Sequence, residues 1–209
     1  MKTIVLFVVI AIFTLGSVNA QEKKNVELGV NIGLSFSNVS DIDANESTSS
    51  KISYNIGASG EYYFSNRWGL KAKLIYDRKG WSDGFIYDEI LDLFVENVDF
   101  KLNYLTIPVM ANWHFGSNRN WYLNFGPYVG FLVNATESWS ESDLKDSFES
   151  VDFGIALGIG YKFTLNDTTK LFVEYDAQSG LSEIFKYSDM ETITNGRNSV
   201  NVGVLFNIK

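Results

Sequence analysis

Period-two alternation, sustained over segment after segment, is the feature that most restricts what this chain can fold into. From Val26, the apolar residues Val26, Leu28, Val30, Ile32, Leu34 and Phe36 alternate with Glu27, Gly29, Asn31, Gly33 and Ser35. Successive side chains of a strand point to opposite faces, so this spacing predicts a strand with one dry face. The pattern recurs near 52–64, 68–78, 101–115, 121–133, 151–163, 170–178 and 197–208, and no segment of helical period and length competes with it. Strands of about ten to thirteen residues exceed the roughly five or six usual in soluble sheets and match the roughly 9 to 11 that a tilted strand needs to cross a bilayer.

The connections alternate as well. Ser65–Arg67, Gly116–Asn120 and Thr164–Thr169 are tight turns, whereas the connections near 37–51, 79–100, 134–150 and 179–196 are long. Strictly alternating short and long connections between eight strands predict an all-β fold, an eight-stranded antiparallel up-and-down transmembrane β-barrel with its short turns in the periplasm.

Composition narrows the function classes. Among 209 residues, 45% are hydrophobic and 15% aromatic, which excludes disorder, and the absence of Cys excludes disulfide scaffolds, zinc–thiolate sites and cysteine nucleophiles. A formal charge of -8, from 17 basic and 25 acidic residues, excludes a nucleic-acid surface. Mean hydropathy of -0.03 is too low for a helical membrane protein but fits a barrel, where only every second strand residue faces lipid. The N-terminus carries Lys2, an apolar run Ile4–Leu15, and the small residues Val18 and Ala20 at -3 and -1 of a junction with Gln21. Residues 1–20 are therefore expected to be a cleaved signal peptide, and 21–209 the outer-membrane β-barrel domain. Cleavage between Ala20 and Gln21 removes Lys2 and changes the charge from -8 to -9, and no Cys follows for lipidation.

Alternation alone leaves a soluble lipocalin-like binding barrel open, and three features favour lipid. The apolar parity carries no charge through the centre of any strand, as in Trp121, Leu123, Phe125, Pro127, Val129, Phe131 and Val133. Glycines collect on the polar parity, at Gly29, Gly33, Gly57, Gly69, Gly126, Gly130, Gly154, Gly158, Gly160 and Gly203, with Gly60 the exception. A narrow lumen gains room from them. Finally, Phe64, Trp68, Trp113, Phe115, Trp121 and Phe163 flank the short turns on the apolar parity, as a periplasmic aromatic girdle would.

By the same parity Glu27, Glu61, Lys71, Lys73, Asp77, Lys162, Glu174, Asp176 and Arg197 face the lumen, with Glu61 opposite Lys71 if Phe64 pairs with Trp68. Charges in so narrow a space must be paired, which favours a filled polar core centred on Glu61, Lys71, Lys73, Asp77, Glu174 and Asp176 over an ion or proton path. The loops near 37–51, 80–99, 134–152 and 180–196 hold 18 of the 25 acidic residues and only Lys51, Lys145 and Lys186 as bases. Partner-protein docking, divalent-cation binding and a solvated rim all fit such loops, although the fixed spacing of a calcium loop is missing. The segment Trp81–Asp99 is also apolar enough to fold back, as a short helix around Asp88–Val95 or as strand extensions.

Catalysis has one thin candidate. His114, the only histidine, falls at the end of the fourth strand beside a short turn, where a hydrated rim position is expected. A lipid-modifying enzyme of the outer membrane would need its site at the opposite rim. No GxSxG, HExxH or glycine-rich phosphate loop occurs, so no enzyme activity and no cofactor are expected.

The stretches Asn103–Gly116 and Trp121–Leu132 carry Tyr104, Leu105, Ile107 and Pro108, then Gly126, Pro127, Tyr128 and Gly130. This hairpin resembles that of the PorT-like outer membrane protein beta-barrel domain family, as do Gly69–Tyr76, Lys79–Gly80 and Glu174–Tyr175. The resemblance implies an outer-membrane barrel and, from the family's name-giving member, a role beside a protein-secretion and gliding machinery. Pro108 and Pro127, which each remove a ladder donor, predict a local bulge or widened bond between strands four and five. The tail Val204–Lys209 lacks a terminal aromatic residue. The expectation is a non-enzymatic, monomeric, lipid-embedded protein of the Gram-negative cell surface with a structural, binding or secretion-accessory role.

Overall fold

The computed structural model describes residues 26–40, 48–88, 92–186 and 192–208; the expected export segment and its Ala20–Gln21 junction lie outside them. Eight strands follow one another: β1 (Val26–Val39), β2 (Ser49–Tyr63), β3 (Trp68–Asp88), β4 (Leu93–Phe115), β5 (Trp121–Glu137), β6 (Val151–Thr164), β7 (Thr169–Gly180) and β8 (Asn195–Ile208). Each pairs antiparallel with its sequence neighbour, and β1 pairs with β8 from Val26↔Ile208 to Val39↔Asn195, so the sheet closes into a barrel. A single 3-10 turn at Lys145–Ser147 interrupts the longest described loop.

The parity read from sequence is the parity of the barrel. Val30, Ile32 and Leu34 are 55–61% exposed while the alternate residues Asn31, Gly33 and Ser35 are buried. The same apolar-out, polar-in order runs along β6, where Phe153, Ile155, Leu157 and Ile159 are exposed and Asp152, Gly158, Gly160 and Lys162 point inward. Fully burying one such aliphatic or aromatic side chain gains about 1.5–3 kcal/mol. A belt of them repeated on every strand is a face for hydrocarbon, which removes the lipocalin-like alternative: there the apolar parity would line the inside.

Two local expectations take a definite form. The connection at 79–100 is largely sheet, because β3 and β4 run 21 and 23 residues and keep pairing through Trp81↔Phe100 to Asp88↔Leu93. Of the two forms open for this segment, the described residues adopt the strand extension. Bulges flank Gly84, and Gly80 sits at φ +125 where a Cβ would strike the Phe100 carbonyl. The ribbon thus bends as it leaves the barrel.

The prolines distort the sheet without slipping it. Pro108↔Tyr128 and Ala111↔Phe125 lie in one register, but the residues between them are unpaired across β4 and β5. There a Cβ on Gly126 would collide with the Val109 carbonyl, so the β4 backbone turns toward the lumen where only glycine leaves space. The register shift between these strands lies elsewhere, at Asn103/Tyr104. The extra residue there, Val133, transfers the buried parity of β5 from Leu132 to Ala135 and Glu137.

Candidate functional site

The inward side chains form storeys along the barrel axis. Nearest the short turns, Lys162 donates to Glu27 (2.5 Å), Glu61 (3.2 Å) and the Tyr63 hydroxyl (2.7 Å), and Lys170 reaches Glu27 at 2.8 Å. His114 belongs to this storey. It is buried, with Nε2 2.6 Å from Glu61 and its ring beside Tyr63 and Tyr122, and is not the hydrated rim residue expected from its place at the end of β4. The β4 parity carries it inward, where Glu61 and two aromatic rings enclose it.

One storey higher, Glu174 accepts from Lys71 (2.9 Å), Lys73 and Asn124 (3.1 Å). Asp176 accepts from Lys73 (3.2 Å), Ser199 (3.0 Å), Asn201 (3.1 Å) and Arg197 (2.5 Å). Arg197 also brings Nε to 3.2 Å from Asp77 as an ion pair outside hydrogen-bond alignment. Glu61 does lie opposite Lys71 in the β2–β3 ladder. Their salt bridges nevertheless run across the lumen, to Lys162 and Glu174, because side chains from facing walls of a narrow ring converge on its axis.

A third storey was hidden from the sequence. Lys79 donates to Asp152 at 2.8 Å over the rings of Tyr104 and Tyr128, while Asn195 donates to the same carboxylate at 3.2 Å and Tyr128 at 3.3 Å. Lys79 falls in the connection expected at 79–100 and Asp152 at the very start of the sixth strand, next to the acidic loop, although both continue the inward parity of Asp77 and Gly154. Tyr104 and Tyr128 of the hairpin motif are thus supports of this ion pair. Leu105 and Ile107 lie on the outward parity, Pro108 and Gly130 are buried, and Pro127 is exposed. Together Glu27, Glu61, Asp77, Asp152, Glu174 and Asp176 meet Lys71, Lys73, Lys79, Lys162, Lys170 and Arg197, one cation for each carboxylate.

Above them the lumen turns apolar, which the polar reading of the inward face missed. Trp81, Phe100, Leu102, Leu132, Phe148, Ile184 and Ile193 form one buried cluster. Loops supply Phe148, Ile184 and Ile193: Phe148 bridges Phe185, and Glu149 and Lys186 donate backbone N–H groups to Ile184 and Ser147 across the two loops. Part of the loop acid is committed to the loops' own backbone. The Glu137 carboxylate accepts from the N–H groups of Trp139, Ser140 and Ser142, and Glu183 accepts from those of Ile184, Phe185 and Ile193. Burial pushes the Glu137 carboxyl up, but the Ser140 hydroxyl and these N–H donors outweigh it and hold it below the usual range. Among the described residues no group of three or more His, Asp or Glu is placed to hold a metal ion.

Around the short-turn end, aromatic rings touch in sequence: Trp68–Trp113 (6.3 Å), Trp113–Phe115 (5.0 Å), Phe115–Trp121 (6.2 Å), Trp121–Tyr161 (5.0 Å) and Tyr161–Phe163 (4.7 Å). Phe64 is exposed at the same end, its N–H donating to Trp68. At the other end, the β3–β4 ribbon exposes Phe85, Tyr87, Leu93 and Phe94, with Phe85 stacked on Phe94.

Solved structures share this architecture. Ail, the attachment invasion locus protein of Yersinia pestis, solved in complex with the heparin analogue sucrose octasulfate, is similar at TM-score 0.50 and 12% identity, over 90% of this chain and 100% of Ail. Neisserial surface protein A is similar at 0.53 and 14% identity, over 87% and 96% of the two chains. The outer membrane protein AlkL, solved in lipid bilayers, is similar at 0.51 and 12%, over 92% and 94%. No curated protein matches the chain in sequence. The profile of one family matches residues 19–186, and with the lipid-type outer face and closed ring the assignment is plain: this chain belongs to the outer membrane protein beta-barrel domain family and resides in the outer membrane.

Proposed function

We propose that this protein is a non-enzymatic, monomeric barrel of the cell surface, with a lumen sealed to solutes and a long-loop end that docks a partner protein in a structural or secretion-accessory role, as the PorT-like resemblance implies. The observation that carries the reading is the contrast between the barrel's two ends. Paired charges fill the lumen, so little room is left for a solute path, while the β3–β4 ribbon projects past the apolar belt with Phe85, Tyr87, Leu93 and Phe94 exposed among Asp83, Asp92 and Glu96. Apolar residues rimmed by charge, exposed beyond the lipid belt, are the usual mark of a contact surface. Short turns face the periplasm in barrels of this kind, which puts the ribbon and the acidic loops outside and the ring from Trp68 to Phe163 at the inner interface.

His114 gives no support to a lipid-modifying activity: it is buried against Glu61 at the short-turn end, away from the external leaflet. Export by a signal cleaved at Ala20–Gln21 belongs to the same reading and predicts Gln21 as the first residue of the mature protein.

A photo-cross-linking residue at Tyr87 tests the docking role in intact cells. A discrete adduct is expected there and not at the inner-interface position Trp113, and a deletion strain should retain secreted protein in its periplasm. An adduct-free ribbon with unimpaired secretion would leave only a structural role.

A further inference from the structure

Within the described strands every basic residue but two meets a carboxylate; the exceptions are Arg78 of β3 and Lys101 of β4. They are also the two basic residues of those strands that stand on the outward parity. Arg78 follows Tyr76 outward and pairs with Asn103, and Lys101 pairs with Gly80. Residues so placed on adjacent strands are diagonal neighbours, about 7–8 Å apart, so two long side chains can close on one group. Arg78 is half-buried with its guanidinium over the Tyr54 ring, 5.0 Å from the centroid, and among the described residues that guanidinium has no hydrogen-bond acceptor. The uncharged Asn134 and Thr136 stand next on this face, from β5, and the Asp99 carboxylate is taken by Lys51 at 2.6 Å.

Their height restricts what they can meet. Ten residues of β3 separate Arg78 from Trp68 of the aromatic ring. At about 3.3 Å per residue and a tilt near 40°, the strand rises about 25 Å over that length, the height of the apolar band of such barrels. Arg78 and Lys101 thus stand where hydrocarbon gives way to headgroups. Below them the apolar face is not smooth. A shallow groove of about 900 Å3 slants across it from Phe163 near the short turns, over Val204, Val30 and Ala58, to Tyr76 and Leu105, the outward pair next below Arg78.

An arginine fork takes a phosphate through two parallel N–H donors, and a lysine adds a point charge. A phosphate arriving from solution must pass the acidic loops, which repel it, whereas one carried by a lipid arrives along the membrane. We infer that Arg78 and Lys101 hold the phosphate headgroup of a membrane lipid whose acyl chain lies in this groove. The site rests on the docking reading only for its orientation, which puts it in the external leaflet.

The test uses the 15N-arginine-labelled barrel in nonionic detergent micelles, where neither orientation nor a partner protein matters, so a failure here leaves the docking reading untouched. Of the four arginines, Arg67 and Arg119 lie exposed at the short turns and Arg197 is buried in the lumen, which makes them internal controls. The Arg78 Nε–H signal, assigned by its loss in Arg78→Gln, is expected to shift and saturate with dimyristoylphosphatidic acid. Dimyristoylglycerol, with the same chains and no phosphate, should leave it in place. Inorganic phosphate, with no chain for the groove, should need at least about a tenfold higher concentration. By native mass spectrometry the double variant Arg78→Gln/Lys101→Gln should retain the phosphatidic acid at least about tenfold more weakly, the worth of one charge-assisted hydrogen bond, and Arg119→Gln as strongly as the unaltered barrel. An Arg78 signal that moves in step with Arg67 and Arg119, that responds equally to dimyristoylglycerol, or that saturates as readily with inorganic phosphate overturns the site, as does undiminished retention by the double variant. The three probes decide the question on the unaltered protein if the double variant does not fold.

Discussion

Glu174 lies wholly buried between Lys71 and Lys73, with Asn124 on its remaining side. Breaking a buried pair by removing one partner leaves an uncompensated charge and typically costs about 3–5 kcal/mol. Glu174→Ala is therefore expected to lower the unfolding free energy of the refolded barrel by about that amount, read from the shift of its urea midpoint in detergent; a loss under about 1 kcal/mol would show the storey to be dispensable. Outside the apolar belt, Asp99 accepts from Lys51 at 2.6 Å. Burial opposes ionisation of Asp99, but the hydrogen bonds from Lys51 and Ser82 prevail, so its folded pKa lies below the ordinary 3.8. Its contribution is thus complete above pH 3.8 and lost as pH falls through the lower folded value. A carbon-detected titration should find the Asp99 carboxyl below 3.8 and rising toward it in Lys51→Met. At this scale, parity alone locates the inward charges from Glu27 to Arg197. It does not tell that Glu61 pairs across the lumen with His114 and Lys162, since cross-lumen contacts depend on strand tilt and stagger, which a single strand's pattern does not contain.

At the scale of the elements, the apolar alternation marks where a strand meets lipid and is silent about where pairing stops. That is why β3 and β4 outrun the segments 68–78 and 101–115, and why Lys79 lies in a strand and not in a connection. Bulges are equally invisible: Val133 changes the inward parity of β5 with no special residue to announce it. Beyond Gly84 the ribbon's ladder joins β3 to β4 alone, and only Ile86 and Val95 pack back against the apolar cluster, so the pairing of the ring does not depend on it. Replacing residues 84–97 by a two-residue turn is expected to leave a heat-modifiable, folded barrel on gels, and failure to fold would show that the ribbon is needed for assembly. Gly126→Val, by contrast, should impair folding, because its side chain would strike the Val109 carbonyl where the two prolines have already interrupted the ladder. A mobility shift equal to that of the unaltered protein would contradict this.

For the whole molecule, the segregation of apolar residues outside, paired charges inside and an aromatic cluster roofed by loops at one end accounts for a mean hydropathy near zero in a membrane protein. The fold was legible because two independent patterns, strand parity and alternating connection length, agree. The aromatic cluster was not, because it joins strand residues beyond the alternating segments, such as Trp81 and Phe100, to Phe148, Ile184 and Ile193 of loops whose return into the barrel has no period to reveal it. Closure joins Val26 to Ile208, residues at opposite ends of the described chain. The entropy of closing so large a loop grows only with the logarithm of its length, about 0.6 kcal/mol per doubling, so equilibrium is hardly burdened. Timing is another matter: until the last strand arrives, β1 and β7 are both raw edges able to pair with any neighbouring chain. A nascent chain stopped short of Asn195 would accordingly be a polymerising species and not a slightly weakened barrel, so the cell must shield two edges from the first hairpin's synthesis to the last residue's delivery.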